Sequence, residues 1–567
     1  MTKCECTRRS RGPGWAGVVL FSFWAAVTLG QGQAATLRVD SGKIDAVFAK
    51  WGPTTPGCAV GVSVGGRTVV AKGFGMADLE HEAPITADTI FEAGSVSKQF
   101  TAAAVLALAR DGKLSLDDPV RKYVPELPEY SPGPPLTVRH VLNHTSGLRD
   151  WGSVAAIAGW PRTTRVHTHA HVLDIVSRQQ SLNFPPGSRW SYSNTGYNLA
   201  AIIVSRVSGK PFPELTRERL FEPLGMTHTS WRDDYTRIVK GRAIAYVESH
   251  GAFHTDMPFE NVYGNGGLLT TVGDLLKWNE NFTTHVVGDP AFAEDQQQRG
   301  AFTDGRQHGY GLGLFIGTYK GLREVSHSGS TAGYSAFLTR FPDERVSVAV
   351  LCNVATNATT LAHEVSDVAL AGRLKPPVPP KATHTLTGLE AARITGLYRD
   401  KLTGAPLTIV FEDGRLSAAR LGVLVPASGL HFATALNQTW DFDGNGGARA
   451  EDEYGTVDLY ERVAAARPSL HELEAYAGAY ASDEAEVDMT AKVDAQGLLL
   501  KRRPDATIRL TPVYADAFRA DSLGTVIFNR DAGGRPIGFR VVQDRVWSMP
   551  FHRMSDPAPT ADKGVGR

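Results

Sequence analysis

Thr89-Ile-Phe-Glu-Ala-Gly94-Ser95-Val-Ser-Lys98-Gln-Phe-Thr101 decides how the rest of the chain is read. An apolar approach runs into one glycine and a helical pattern follows. Phe100, Ala103, Leu106 and Ala107 share a face, and Asp111-Gly112 ends it. Ser95 therefore opens a helix, where backbone N–H groups lack partners and the dipole is positive. Such a site favours an oxyanion forming on a carbonyl attacked by the serine. Lys98 lies three residues on, one turn along the same face. A serine hydroxyl attacks poorly until a neighbouring base removes its proton. A lysine can be that base if burial or nearby cations keep it neutral. About one S-x-x-K is expected by chance in a chain of this composition, so the weight rests on placement. The competing reading is an N-cap serine with a surface lysine.

Upstream, Cys58-Ala-Val-Gly-Val-Ser-Val, Gly65-Gly66 and Arg67-Thr-Val-Val-Ala read as a β-hairpin. Downstream, helical stretches continue to about Asn279, and a β-rich stretch returns from Gly309 to Asn353. Strands first and last with helices between predict an α+β domain over 35–374, its sheet joining both ends. Lys375-Pro-Pro-Val-Pro-Pro-Lys381 opens a stiff linker, 375–388. Beyond it, short alternating runs with frequent turns predict two small antiparallel β-barrels, 389–466 and 470–555. An internal repeat supports two units: Gly396-Leu-Tyr398 recurs as Gly478-Ala-Tyr480. The Pro/Ala/Asp-rich tail, 556–567, reads as disordered.

The chain has 567 residues, too many for one core. Lys+Arg and Asp+Glu are 59 each, so no basic excess exists to bind nucleic acid. A basic start (Lys3, Arg8, Arg9, Arg11), the apolar run Trp15–Leu29 and Gly32-Gln33-Ala34 read as a secretory signal peptide over 1–34. The run is too short to span a bilayer, and no second long apolar run follows, so a secreted or periplasmic protein without stable membrane insertion is expected. Arg8-Arg9 leaves a twin-arginine route open. Cleavage removes Cys4 and Cys6. Cys58 and Cys352 remain, read as buried free thiols in preference to one bridge.

Two further segments carry chemistry. Tyr192-Ser-Asn194 sits in a loop before a helix, where a phenol can relay a proton. Tyr263-Gly-Asn265 shares the pattern but reads as structural. His327-Ser-Gly329-Ser330 lies in a strand-like run. Its glycine would let a substrate backbone approach, and its histidine could donate a hydrogen bond to substrate. In this order and setting, with His140-Val-Leu-Asn-His-Thr-Ser-Gly-Leu148 and Gly264-Asn-Gly-Gly-Leu268, the motifs resemble the serine β-lactamase and penicillin-binding-protein superfamily over roughly 40–372. The resemblance is to its class C-like branch, and the appended barrels (lipocalin-like) and H-x-G third motif are similar to D-aminopeptidases.

Carried over by position, the resemblance implies Ser95 as nucleophile and Lys98 and Tyr192 as base and proton relay. Asn194 would hold the substrate amide, and the Ser95 and Ser330 N–H groups would form the oxyanion hole. It implies a β-lactamase-like fold, small-molecule or short-peptide substrates and no cofactor. His327 stands where β-lactamases and D,D-peptidases usually have lysine, so a cation for a substrate carboxylate is missing. The expected activity is hydrolysis of D-amino-acid amides or peptides through an acyl-enzyme. The alternatives are an esterase, a β-lactamase or D,D-peptidase, and an inactive cell-wall-peptide-binding protein. The oligomeric state is not indicated. Removal of the barrels near Lys375 is expected to leave a folded catalytic domain.

Three lookalikes are set aside. Gly61-Val-Ser63-Val-Gly65 matches a nucleophile elbow but sits mid-strand before another strand. Asp441-Phe-Asp443-Gly-Asn445-Gly446 resembles a calcium loop flanked by strands rather than helices and reads as a hairpin turn. His167, His169 and His171 would splay apart on a helix capped by Thr168, so no metal site is expected. Replacing Ser95 by Ala should lower hydrolysis by about 10³-fold or more without unfolding the protein. Ser63→Ala should be nearly silent. Steady-state rates and melting curves of the two variants check this, and the reverse result overturns the motif assignment.

Overall fold

The computed structural model describes residues 39–555, apart from residues 131, 377–379 and 420. The signal peptide read over 1–34, the tail over 556–567 and the middle of the proline linker lie outside the described residues. Among the described residues, no helix is long and apolar enough to cross a membrane.

Cys58–Val64 (β1) and Arg67–Phe74 (β2) form the hairpin, with Gly65 and Gly66 both at positive φ in the turn. Four strands from the other end of the domain complete the sheet: Phe315–Tyr319 (β3), Leu322–Thr331 (β4), Tyr334–Phe341 (β5) and Val346–Cys352 (β6). Their order is β3-β4-β5-β6-β1-β2, all antiparallel, so the first strand pairs with the last. The helix Val272–Thr284 packs closely on β1. A Cβ at Gly61 would lie 3.0 Å from Leu276 and 3.1 Å from Val272.

The helix after Ser95 is Lys98–Arg110 (α1), preceded by a 3₁₀ turn, Gly94–Ser97. It is buried from Lys98 to Leu108, as befits a central helix, and packs on Asn194–Ser208 (α2), the helix that follows Tyr192.

The expectation of two free thiols is corrected. Cys58 and Cys352 are direct partners in the β1–β6 register, their Cα atoms 4.0 Å apart, and they form a disulfide. The composition of two apolar strands does not reveal which of their residues face each other.

Past the linker, eight strands between Gly396 and Arg462 close into a barrel. Nine strands between Gly478 and Arg553 form a second barrel that is nearly closed. Its edge strands, Ala506–Arg509 and Thr511–Tyr514, follow one another in the chain without pairing. The sequence repeat is a repeated corner. Gly396 and Gly478 have φ of 147° and 148°. A Cβ there would run into Arg462 at 2.7 Å and Arg553 at 3.1 Å. Tyr398 Oη donates to the Ile394 carbonyl at 2.9 Å, and Tyr480 Oη to the Tyr476 carbonyl at 2.8 Å. The Asp441–Gly446 segment is indeed a hairpin turn: the Asp443 carboxylate accepts the N–H groups of Asn445 and Gly447.

The second barrel shares a hydrophobic core with the catalytic domain. Trp151, Ile157, Val172 and Ile175 of two helices join Leu498 and Ile508 of the barrel in one buried cluster. Arg502 and Arg503 donate to the carbonyls of Ala156, Ile157 and Ala158, satisfying the C-terminal end of the helix Trp151–Ile157. Arg149, 1% exposed, donates to Glu484 at 3.0 Å and to the Ser548 carbonyl at 2.7 Å. This interface argues against a catalytic domain that folds without the barrels: truncation would expose this apolar face and leave Arg149 buried without its carboxylate. A chain ending at Leu374 should be recovered aggregated, by size-exclusion chromatography. In the intact protein, Glu484→Ala should cost about 3–5 kcal/mol of stability, read from urea unfolding.

Candidate active site

The catalytic turn is built on two glycines. Gly94 has φ of +50°, and a Cβ on it would lie 2.5 Å from the Ser330 nitrogen. Gly329, on β4, would place a Cβ 2.0 Å from the Ala93 carbonyl oxygen and 3.0 Å from the Ser95 nitrogen. Strand β4 thus lies directly against the turn, which brings the Ser95 and Ser330 N–H groups to one place. Glycine at 329 serves this internal contact, where the sequence suggested room for a substrate backbone. Ser97 Oγ donates to the Gly94 carbonyl at 2.5 Å and accepts from the Leu268 N–H at 3.1 Å, fixing the turn.

Lys98 is fully buried, and its Nζ has three partners: Ser95 Oγ at 3.0 Å, Asn194 Oδ1 at 2.9 Å and the Asn265 carbonyl at 2.6 Å. Two of the three can only accept. A neutral amine gives its two N–H groups to them and turns its lone pair toward the Ser95 hydroxyl. Burial holds the Lys98 amine well below its ordinary range; the charges of Arg545 and Arg162 push the same way, and Asp150 opposes them.

The Tyr192 hydroxyl lies beside Ser95, and its ring lies 4.8 Å from Lys98 Nζ. Burial pushes the phenol up, so Tyr192 stays protonated beside a neutral lysine. Below it is a bed of rings. The centroid of His144 is 4.2 Å from that of Tyr192 and 4.7 Å from that of Tyr310. His144 Nδ1 accepts the Ser193 N–H, and burial holds the imidazole neutral. This apolar floor is the source of the desolvation felt by Lys98.

Ser95, Lys98, Tyr192 and Asn194 are therefore brought together as the sequence predicted, with Ser330 and Gly329 beside them. Two assigned roles change. Asn194 gives its carbonyl oxygen to Lys98 and so orients that amine, leaving only its amide N–H₂ for a substrate. His327 is 1% exposed, and both its nitrogens are taken. Nδ1 pairs with the Ser328 carbonyl at 2.6 Å and Nε2 with Tyr310 Oη at 2.9 Å. Burial lowers it to about 3, so it is a neutral brace for Tyr310 and has no hydrogen left for a substrate.

Sequence reasoning missed four groups. Asn265, in the segment read as structural, reaches Lys98 through its backbone; the glycines around it were the available signal. Asp150 accepts the Asn194 N–H at 2.8 Å and caps the helix Trp151–Ile157. Arg162 approaches from one side, bonded to Glu260. Arg545, from the second barrel, lies 4.8 Å over the Tyr192 ring. Nothing local marks these three. Tyr263 itself is structural, its ring stacked on Phe212. Thr168 caps the helix His169–Ser177, whose histidines bond separately: His169 with the Tyr263 carbonyl, His171 with Thr168.

Two cavities flank the site. One, of about 230 Å³, is bounded by Ser330, Met257, Phe259 and the Arg162–Glu260 pair. The other, about 990 Å³, lies between the catalytic domain and both barrels, with Trp190 and Arg545 at its catalytic side and Asp400, Asp458 and Asp521 in its barrel walls. Among the described residues, one cluster could hold a cation, Asp78, Glu80 and His81. It is a turn in which Asp78 already accepts from both neighbours.

Comparison with known proteins agrees with this geometry. The beta-lactamase family profile matches residues 45–372. The chain is 29% identical over 308 residues to penicillin-binding protein 4* of Bacillus subtilis (strain 168), covering 51% of this chain and 66% of that protein. It is 26% identical over 517 residues to a D-aminopeptidase of Brucella anthropi, covering 86% and 93%. A D-aminopeptidase of Gluconobacter oxydans is matched over 64% of its length, so several of these relatives are spanned by less than two thirds. The octameric penicillin-binding protein homologue from Pyrococcus abyssi shares the fold, with a TM-score of 0.53 at 24% identity, over 74% of this chain and all of that one. With Ser95, Lys98 and Tyr192 inside the matched span, the chain belongs to the beta-lactamase family, within the β-lactamase and penicillin-binding-protein-like serine hydrolases.

Proposed function

We propose that this protein hydrolyses D-amino-acid amides and short peptides bearing a free amine, through an acyl-enzyme on Ser95. The observation that carries the reading is the Lys98 amine, with two acceptor-only partners and its third position at Ser95 Oγ. As Ser95 Oγ bonds the substrate carbonyl carbon, its proton passes to Lys98 Nζ, and the carbonyl oxygen takes the negative charge between the Ser95 and Ser330 N–H groups. When the C–N bond breaks, the leaving amine takes that proton by way of Tyr192. Water, losing a proton to Lys98 along the same route, then releases the acid and restores Ser95.

The D-aminopeptidase relative aligned along most of both chains supports the substrate class. The neutral, fully bonded His327 supports it too, since no third-motif cation is present to favour penicillins. The 230 Å³ cavity beside Ser330, with Met257 and Phe259 in its wall, has room for an apolar side chain. The basic-apolar start of the sequence and the Cys58–Cys352 bridge support a secreted or periplasmic site of action. A binding protein without turnover is the weaker reading, because a buried lysine directed at a serine serves no binding purpose.

Lys98→Ala and Tyr192→Phe should each lower kcat by about 10²-fold or more, and the double variant should lose little beyond the worse single one, because groups in one proton pathway are not additive. Tyr263→Phe is the control. Multiplicative losses would place the two residues on separate paths. The rate should also fall on the acid side as Lys98 takes up a proton, through one ionisation well below the usual lysine range, since Tyr192 stays protonated throughout. A pH profile of kcat/KM measures this.

Substrate choice is tested with D- and L-alanine p-nitroanilides, a butyrate ester and a chromogenic cephalosporin on the full-length protein. The D-anilide should have the highest kcat/KM. Preference for the ester or the cephalosporin overturns the D-aminopeptidase reading, and failure of a fluorophosphonate to label Ser95 overturns the enzyme itself.

A further inference from the structure

The second barrel does more than cover the catalytic domain. Its strands Pro536–Gln543 (β7) and Val546–Arg553 (β8) are joined by a two-residue tip, Asp544-Arg545, that enters the active site. The tip is held by the catalytic domain on both flanks. The Arg545 carbonyl accepts from the Asp150 N–H at 3.3 Å and from Asn183 Nδ2 at 3.2 Å. Asn183 Oδ1 accepts the Trp547 N–H at 3.0 Å, and the Trp547 ring rests on Phe184 at 4.9 Å. One asparagine side chain thus grips the hairpin by both of its polar atoms.

So held, Arg545 puts its guanidinium 4.8 Å from the Tyr192 ring centroid, and Lys98 Nζ is also 4.8 Å from that centroid. The Arg545 guanidinium and the Lys98 amine thus share one ring. The second contact of Arg545 is Asp150, whose Oδ2 is 3.9 Å from Nη1. Asp150 is buried, and its other partners are backbone N–H groups, of Asn194 and Ser153.

The charged groups acting on Lys98 are then few. Asp150 favours an ammonium; Arg162 and Arg545 oppose it; His144 and His327 are neutral. Arg545 is 43% exposed, so water helps to carry its charge. Lys98 has no water and does give up protons.

We propose that Arg545 is a positioning residue for hydrolysis at Ser95: delivered by the second barrel, it braces the Tyr192 ring and offsets the Asp150 carboxylate, so that Lys98 remains an uncharged base. The proposal rests on the assignment of Ser95 as nucleophile and Lys98 as its base. It makes the barrel a working part of the active site, joined to the proton pathway through one side chain.

The test is the rate at which a fluorophosphonate labels Ser95 in the full-length protein, measured from about pH 5 to 10, since this needs no knowledge of the natural substrate. In Arg545→Gln the acid limb should move up by about 0.5–1 pH unit, a partly solvent-screened charge effect. Labelling at neutral pH should fall about 3- to 10-fold, and the high-pH plateau should stay near the wild-type value. Arg545→Lys should keep most of the wild-type profile. Asp150→Asn added to Arg545→Gln should bring the limb back, because asparagine still caps the helix and the charge to be offset is gone. An unshifted limb in Arg545→Gln, an equal loss at every pH, or no recovery in the double variant overturns the proposal. If the wild type is not labelled at Ser95, the nucleophile assignment fails first and the proposal falls with it. Near-UV circular dichroism confirms that each variant is folded before its profile is read.

Discussion

Burying one amine is the constraint on which this active site depends. Lys98 has no contact with water, and an ammonium in such a place is strongly disfavoured unless paired with a carboxylate. No carboxylate touches it. The site instead offers two carbonyl oxygens and a hydroxyl, a set that suits a neutral amine. The rest follows from holding that set together: the 3₁₀ turn brings Ser95, α1 brings Lys98, α2 brings Asn194, the glycine-rich segment before Leu268 brings a backbone oxygen, and Tyr192 closes the ring. In the proposed mechanism a serine, a lysine and a tyrosine act as one proton pathway, and the full burial of Lys98 beside the half-buried Ser95 and Tyr192 is what supports it.

The sheet topology sets how closely this can be done. Pairing β1 with β6 ties the first strands of the domain to the last, and the Cys58–Cys352 bridge fixes that register covalently. Strand β4 is thereby carried to the start of α1, where Gly94 and Gly329 remove the two β-carbons that would keep the backbones apart. Two N–H groups from distant parts of the chain then converge beside Ser95. A methyl group at either position would meet backbone, which cannot move aside as a side chain can.

What could be read in advance was local. The hairpin, the helical segment that Ser95 opens, here a 3₁₀ turn running into an α-helix from Lys98, the Tyr192 loop and the repeated Gly-x-Tyr corner each follow from a few adjacent residues, and the structure contains them. What could not be read was pairing at a distance. The cysteines lie in strands whose apolar composition says nothing of register, so free thiols and a bridge look alike. His327 was expected to donate to a substrate, yet Tyr310 and Ser328 occupy its nitrogens. Asn265 takes part through its carbonyl oxygen, a group every residue has and no motif marks. Asp150, Arg162 and Arg545 reach the site from three unrelated segments.

The placement of Arg545 also bears on why the barrels are attached. An appended domain that only bound an envelope component could hang from a flexible linker. Here the second barrel shares buried side chains with two helices, caps one of them with arginines and takes up the charge of Arg149. Such an interface fixes position to the precision a proton pathway requires, which a mobile tether does not. The first barrel is placed less intimately. It meets the catalytic domain through Arg189 and Asp458 at 2.7 Å, and the second barrel through the bond from Tyr514 Oη to the Gly404 carbonyl. Its Asp400 and Asp458 line the 990 Å³ cavity. The two barrels thus differ in placement: one extends a hairpin tip toward Tyr192, and the other lines the large cavity between the domains.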